Sequence, residues 1–219
     1  MIVENKEMLH IHRNDLYSDI WKIGNEILVD DNFNSHLIDH IKLSSGVLNV
    51  NNNMVRLDKY INDVILEIDT EEKILKLKEL SDDDFVCKGL YLLQLLKDSR
   101  NKLGDLGIMN REEALEEVRK EKYSDLPSRY HSIWVCDEDS LNFWINELSE
   151  DVTIYKLLLN GNLFKSSELF LPYDGETKEK QRIEAEKYWN PVFDSEESLL
   201  RKEYLFQGKA KVLKLYKNN

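Results

Sequence analysis

The sequence predicts an α+β fold, with strands near both ends and a helical middle. Three observations lead to it: a short alternating segment at residues 8–13, helical patterning almost throughout about 34–122, and a return to short strand-like runs from Leu126 onward. A length of 219 residues suits one large domain carrying a sizeable insertion. We therefore expect a single domain over 1–219, with the helical insertion at about 34–122.

Taken in chain order, Met8-Leu9-His10-Ile11-His12-Arg13 alternates, so His10 and His12 share one strand face. Ile20-Trp21-Lys22-Ile23-Gly24-Asn25 reads as a turn or a second short strand. Ser, Gly and Asn cluster over 42–56 and mark a labile stretch. Over 54–68, Val55, Leu57, Ile61, Val64, Ile65 and Ile68 fall near helical spacing. Ser81-Asp82-Asp83-Asp84 opens an amphipathic helix, its acidic residues complementing the positive end of the helix dipole. Gly104-Asp105-Leu106-Gly107 reads as a loop, after which Asn110 caps a further helix with Glu113 in the capping-box position.

Beyond Leu126, 132–136 and 152–159 are strand candidates, and 139–148 and 177–189 are helix candidates. Asn160-Gly161 is a tight-turn signal. Two strand-like runs, 204–206 and 210–216, are expected to turn at Gln207-Gly208.

The net charge of −12 argues against broad binding to nucleic acid or anionic membranes, which demand an excess of Lys and Arg. Lys202, Lys209, Lys211 and Lys214 read as a solvated strand face. Cys87 and Cys136 lack metal or redox spacing and are expected to be buried free thiols, in keeping with a reducing compartment. The start of the chain has no apolar signal core and no run reaches membrane-spanning length, so the expected location is the cytoplasm, with no membrane partner.

Several chemistries find no support in the residues. His36 and His40 are four apart, but a zinc site needs a third ligand, and two surface histidines on a helix is the plainer reading; no metal is expected. No GxSxG, Walker loop or GxGxxG occurs. Glu112/Glu113 and Glu196/Glu197 are better explained by helix starts and solvation. Three segments remain: the first strand with His10 and His12, the polar turn Ser128-Arg129-Tyr130-His131-Ser132 leading into Ile133-Trp134, and Glu203-Tyr204-Leu205-Phe206, a carboxylate at the leading edge of a strand.

In that order the three segments resemble the ADP-ribosyltransferase superfamily, in its bacterial and phage branch and more distantly in DarT-like enzymes. Leu9-His10-Ile11-His12-Arg13 is similar to the first strand of that branch, 128–134 to the strand framing nicotinamide, 154–164 to a strand–turn, and Glu203 to the catalytic glutamate. The resemblance covers roughly the first 30 and last 95 residues. It implies a split β-sheet core and a glycosyltransferase-class reaction. The nicotinamide–ribose bond of NAD, the co-substrate, is cleaved and ADP-ribose passes to a protein or nucleic-acid acceptor.

On that resemblance Glu203 is catalytic, stabilising positive charge on the ribose through its 2′-hydroxyl. His10 holds the adenine-side ribose, Tyr130 stacks on nicotinamide, and Arg129 or Ser132 holds its amide or the diphosphate. Arginine-directed members carry a second glutamate two residues earlier; Arg201 stands there, which points away from arginine as the acceptor. A clean Ser-Thr-Ser strand is missing, so the choice among Arg129, Tyr130 and Ser132 stays open. The implied setting is a toxin or phage–bacterium conflict, with an inhibitor or antitoxin as partner. Two other readings are an NAD-binding or NAD-hydrolysing relative, and a non-enzymatic interaction protein of the same fold.

Overall fold

The computed structural model describes residues 1–13, 20–33, 47–50, 53–56, 82–148, 151–174 and 176–216. In chain order the strands are β1 (Ile2–Arg13), β2 (Glu26–Val29), β3 (Val47–Val50), β4 (Asn53–Arg56), β5 (Ile133–Val135), β6 (Val152–Ser167) and β7 (Lys202–Leu215). Among the described residues the α-helices are α1 (Asp82–Lys122), α2 (Glu138–Leu148), α3 (Lys178–Trp189) and α4 (Glu196–Leu200), with single 3₁₀ turns at Arg129–His131 and Glu168–Phe170. The architecture is α+β.

The chain divides into two units, Met1–Ile38 with Asn110–Asn219, and Asp39–Met109. The second holds the antiparallel β3–β4 hairpin, Val47 opposite Arg56, and the first part of α1. This hairpin occupies part of the stretch read as labile, and its second strand takes Met54–Arg56 out of the expected helix over 54–68, whose remainder lies outside the described residues. His36 and His40 also lie outside them. α1 runs unbroken through Gly104, Gly107 and Asn110, so the expected loop and second helix start do not form. Each helical glycine costs only about 1 kcal/mol, a deficit that flanking Leu, Lys, Arg and Glu residues tolerate.

In the first unit the five-stranded sheet has the order β1-β6-β7-β2, with β5 also on β7. Phe206 of β7 pairs with both Leu163 of β6 and Ile133 of β5, so these strands flank β7 on opposite edges. Leu9 of β1 then exchanges two backbone hydrogen bonds with Cys136, at 2.8 and 2.9 Å. The pairings β1–β6–β7–β5–β1 thus close into a ring. Alternation sends one face inward: Met8, Ile133, Val135, Leu157, Leu159, Leu163, Tyr204, Phe206, Ala210 and Val212 fill the interior together with Trp21, Ile27 and Val29. The outer face of β6 and β7 buries Phe164 and Leu205 against Leu115 and Val118 of α1 and Ala185, Tyr188 and Trp189 of α3. A smaller cluster, Leu9, Cys136, Leu141 and Ile154, seats α2.

Both expected tight turns are absent, since Asn160-Gly161 and Gln207-Gly208 lie inside continuous strands and Gly161 pairs directly with Gly208. The glycines mark a close backbone approach rather than a reversal. A Cβ at Gly161 would sit 2.3 Å from the Gln207 carbonyl oxygen, and one at Gly208, where φ is +140°, 2.5 Å from that of Asn160. Gly161→Ala is therefore expected to destabilise the protein by at least the upper end of the ~1–3 kcal/mol typical of overpacking, because the obstructing atoms are backbone. Urea denaturation measures this, and an unchanged midpoint would contradict the close approach.

Of the four lysines read as solvated, Lys209, Lys211 and Lys214 are exposed. Lys202 is instead buried, its Nζ donating to Asp137 Oδ2 at 2.6 Å. Among the described residues no helix is long and apolar enough to cross a membrane.

Candidate functional site

The segment carrying Arg129 is shaped locally. Pro127 cannot continue a helix, and the Ser128 hydroxyl accepts from the Tyr130 N–H at 3.2 Å to cap the 3₁₀ turn. The turn delivers Arg129 beneath the outer sheet face, where it is only 5% exposed. Its guanidinium grips Glu112 of α1 with two hydrogen bonds, Nε to Oε2 at 2.6 Å and Nη2 to Oε1 at 3.2 Å. Nη1 donates to Glu203 Oε1 at 2.6 Å and also to the Tyr188 hydroxyl of α3. Tyr188 in turn donates to the same Glu203 oxygen.

Both donors thus converge on Oε1 of Glu203, while Oε2 accepts no hydrogen bond from the described residues. The guanidinium carbon lies 4.8 Å from the Tyr188 ring centroid and 5.5 Å from that of Trp134. These are cation–π distances.

A second tier sits one helical turn along α1. Glu116 takes both Arg119 Nη2 and Nε, at 2.8 and 2.9 Å, and the Ser128 hydroxyl at 3.1 Å. Arg119 also donates to the Leu126 carbonyl at 2.9 Å and so fixes the chain leaving α1. Glu112 is therefore neither a helix start nor solvated, and Glu116 is buried as well. They lie on the buried face beside Leu115, since positions i, i+3 and i+4 share one side of a helix.

Burial alone would raise the Glu112 carboxyl, but the charge and hydrogen bonds of Arg129, with help from Arg111, outweigh it and hold it below the usual range. The Tyr188 hydroxyl is pushed up by burial, with the neighbouring carboxylates adding to the shift, and stays a donor at neutral pH. Because the folded-state value of Glu112 is depressed, its stabilising contribution is present above the ordinary glutamate value and is lost as pH falls below it. Thermal melts between about pH 6 and about pH 3 are expected to show a steep acid loss that is shallower in Glu112→Gln. Equal slopes would remove Glu112 from the account.

His10 goes elsewhere. It shares the inward face of β1 with Met8 and stacks on Trp21 at 3.9 Å between ring centroids; Tyr155 lies across the strand pair from it, and His12 nearby. Its Nδ1 bonds the Trp134 carbonyl oxygen at 2.9 Å. Glu203 and Arg129 occupy the outer face, so His10 stands on the opposite side of the sheet from Glu203, and Trp134 joins the two clusters by its carbonyl and its indole.

Tyr130 is half-buried, its hydroxyl pushed up by burial and then by Glu112, Glu116 and Glu113. Ser132 is fully buried, and its hydroxyl has no hydrogen-bond partner among the described residues. The structure thus unites Arg129 with Glu203 and leaves His10 apart. The sequence reading missed Glu112 and Tyr188. Charge on the Leu115–Val118 face of α1 signals the first, and an aromatic pair ending the 177–189 pattern signals the second.

Cys136 is buried, its thiol pushed up to about 12 by burial and then by Asp137, which leaves it unreactive. Among the described residues no three metal-ligating side chains converge.

A model of the family described as "Protein of unknown function (DUF2441)" matches residues 8–218, from β1 through Glu203 and beyond. The chain belongs to the DUF2441 family. No curated protein matches it. The DUF2441 match spans every residue of the Glu112–Arg129–Tyr188–Glu203 quartet and both histidines of β1.

Proposed function

We propose that this DUF2441 protein is an NAD-dependent ADP-ribosyltransferase with Glu203 as its charge-stabilising carboxylate. The observation that carries the reading is the one-sided anchoring of Glu203: Arg129 and Tyr188 both hold Oε1, so the second oxygen is held in a fixed orientation and accepts no hydrogen bond from the described residues. Cleavage of the nicotinamide–ribose bond develops positive charge on the ribose as neutral nicotinamide leaves. A carboxylate fixed beforehand against the 2′-hydroxyl stabilises that charge more in the transition state than in the ground state. The five-stranded sheet closes into one ring rather than splitting in two, so the reading is supported by Glu203 at the leading edge of β7 and not by the sheet's topology. The acceptor is a macromolecule, protein or nucleic acid, and a toxin role with an inhibitory partner fits the same chemistry.

The test is nicotinamide release from NAD, with mass-spectrometric detection of ADP-ribose on lysate components, in the wild type and Glu203→Gln. Release that depends on Glu203 is expected; no release from either protein would end the reading.

A second reading rests on the placement of His10 and Trp21 across the sheet from Glu203. Here the inward aromatic cluster binds a nucleotide without turnover. It is distinguished by thermal shift with NAD: stabilisation abolished by His10→Ala, retained in Glu203→Gln and unaccompanied by nicotinamide release is its signature.

A further inference from the structure

A second carboxylate stands beside Glu203. In the β6–β7 register Ser166 faces Glu203 and Ser167 faces Lys202. Ser167 is extended, with φ −139° and ψ 145°, so the alternation carries on to Glu168. The Glu168 N–H donates to the Arg201 carbonyl at 3.1 Å, which sets these two residues opposite each other. Glu168 and Glu203 are therefore diagonal neighbours on one face, a relation that spans about 7–8 Å.

Their surroundings differ sharply. The Glu203 side chain is 6% exposed and gripped by Arg129, whereas that of Glu168 is 36% exposed and held by Arg201 Nη1 at 3.4 Å. Arg201 is itself shared with Glu197 at 3.4 Å and lies 5.1 Å from the Phe143 ring. One carboxylate is thus fixed and enclosed, while the other is loosely held where an acceptor can reach it.

We infer that Glu168 is the general base of the transfer, taking the proton from a hydroxyl nucleophile, water included, as it attacks the ribose carbon next to Glu203. This rests on the transferase reading. The ribose C1′–N bond breaks, with its electron pair leaving on nicotinamide. A C1′–O bond forms, and the hydroxyl proton passes to a Glu168 carboxylate oxygen and then to solvent. Nothing is oxidised or reduced.

The charged groups acting on Glu168 come from every side. Burial raises its carboxyl, Arg201 lowers it, Glu147 of α2 and Glu203 raise it, and Arg111 of α1 lowers it, with a net upward displacement. That is the direction a base needs to work closer to neutral pH.

The experiment is the pH profile of kcat/KM for NAD cleavage in wild type, Glu168→Gln, Arg201→Met and Glu203→Gln. The wild type is expected to lose activity on the acid side of its profile. Glu168→Gln should lower the rate by about 10²–10⁴-fold and erase that acid limb. Arg201→Met should keep the limb but displace it to higher pH, because the charge that lowers Glu168 is gone. A Glu203-dependent rate that Glu168→Gln leaves intact, or lowers without altering the limb, overturns the inference alone. A wild type that releases no nicotinamide overturns the transferase reading and this inference with it.

Discussion

Arg129→Met is expected to cost about 3–5 kcal/mol of stability, the range found when one partner of a buried ion pair is removed. The reason is the uneven charge around it. One guanidinium serves two buried carboxylates, Glu112 and Glu203, and its loss strands both in a layer walled by Leu115, Phe164 and Leu205. Arg111, which bonds Glu112 Oε1 at 3.1 Å, also pairs with Asp174 at 2.7 Å and can offset only part of the deficit. Urea denaturation of the variant measures the loss. Adding Glu112→Gln and Glu203→Gln to Arg129→Met should recover a good part of it, since neutral amides need no counter-charge. A change below about 1 kcal/mol, the range of exposed ion pairs, would show that the quartet is not the enclosed network described.

Glu203→Gln is expected to behave in the opposite way, with a modest stability change and a large kinetic one. Arg129 keeps its two-pronged bond to Glu112, so a charge-matched pair survives, and the glutamine carbonyl can still accept from Arg129 and Tyr188. What disappears is the negative charge that the transferase reading sets against the ribose. Removing a preorganised electrostatic group typically lowers kcat by about 10²–10³-fold, and because the ribose charge develops only during bond cleavage, KM for NAD should change little. A parallel rise in KM with kcat preserved would assign Glu203 to ground-state binding and remove it from the chemistry.

The α+β class, the first strand, α2, α3 and the position of Glu203 at the start of a strand were all legible in local patterns. Helix caps such as Thr177 and the alternation of β1 act over a few residues, and a few residues suffice to read them. The glycine pairs misled because Asn-Gly and Gln-Gly look the same in a hairpin turn and in two strands pressed together; only the register, Gly161 against Gly208, separates the cases. The quartet was half legible for a related reason. Arg129 and Glu203 lie in motifs, but Glu112 and Tyr188 join them across long separations, and a glutamate early in an acidic stretch looks solvated until its arginine is found. His10 was placed on the correct strand, yet which side of a closed ring it faces depends on pairings that no local pattern encodes.

The central position of β7 has a consequence for how the chain comes together. β7 follows all of its partners in sequence, yet it lies between β6 on one edge and β5 and β2 on the other. As the protein emerges from the ribosome, those partners wait with unsatisfied edges until the middle strand arrives. Ring closure, core filling and the meeting of Glu203 with Arg129 then become one late, long-range event, the kind of pairing that folds slowly and leaves nascent chains exposed to aggregation.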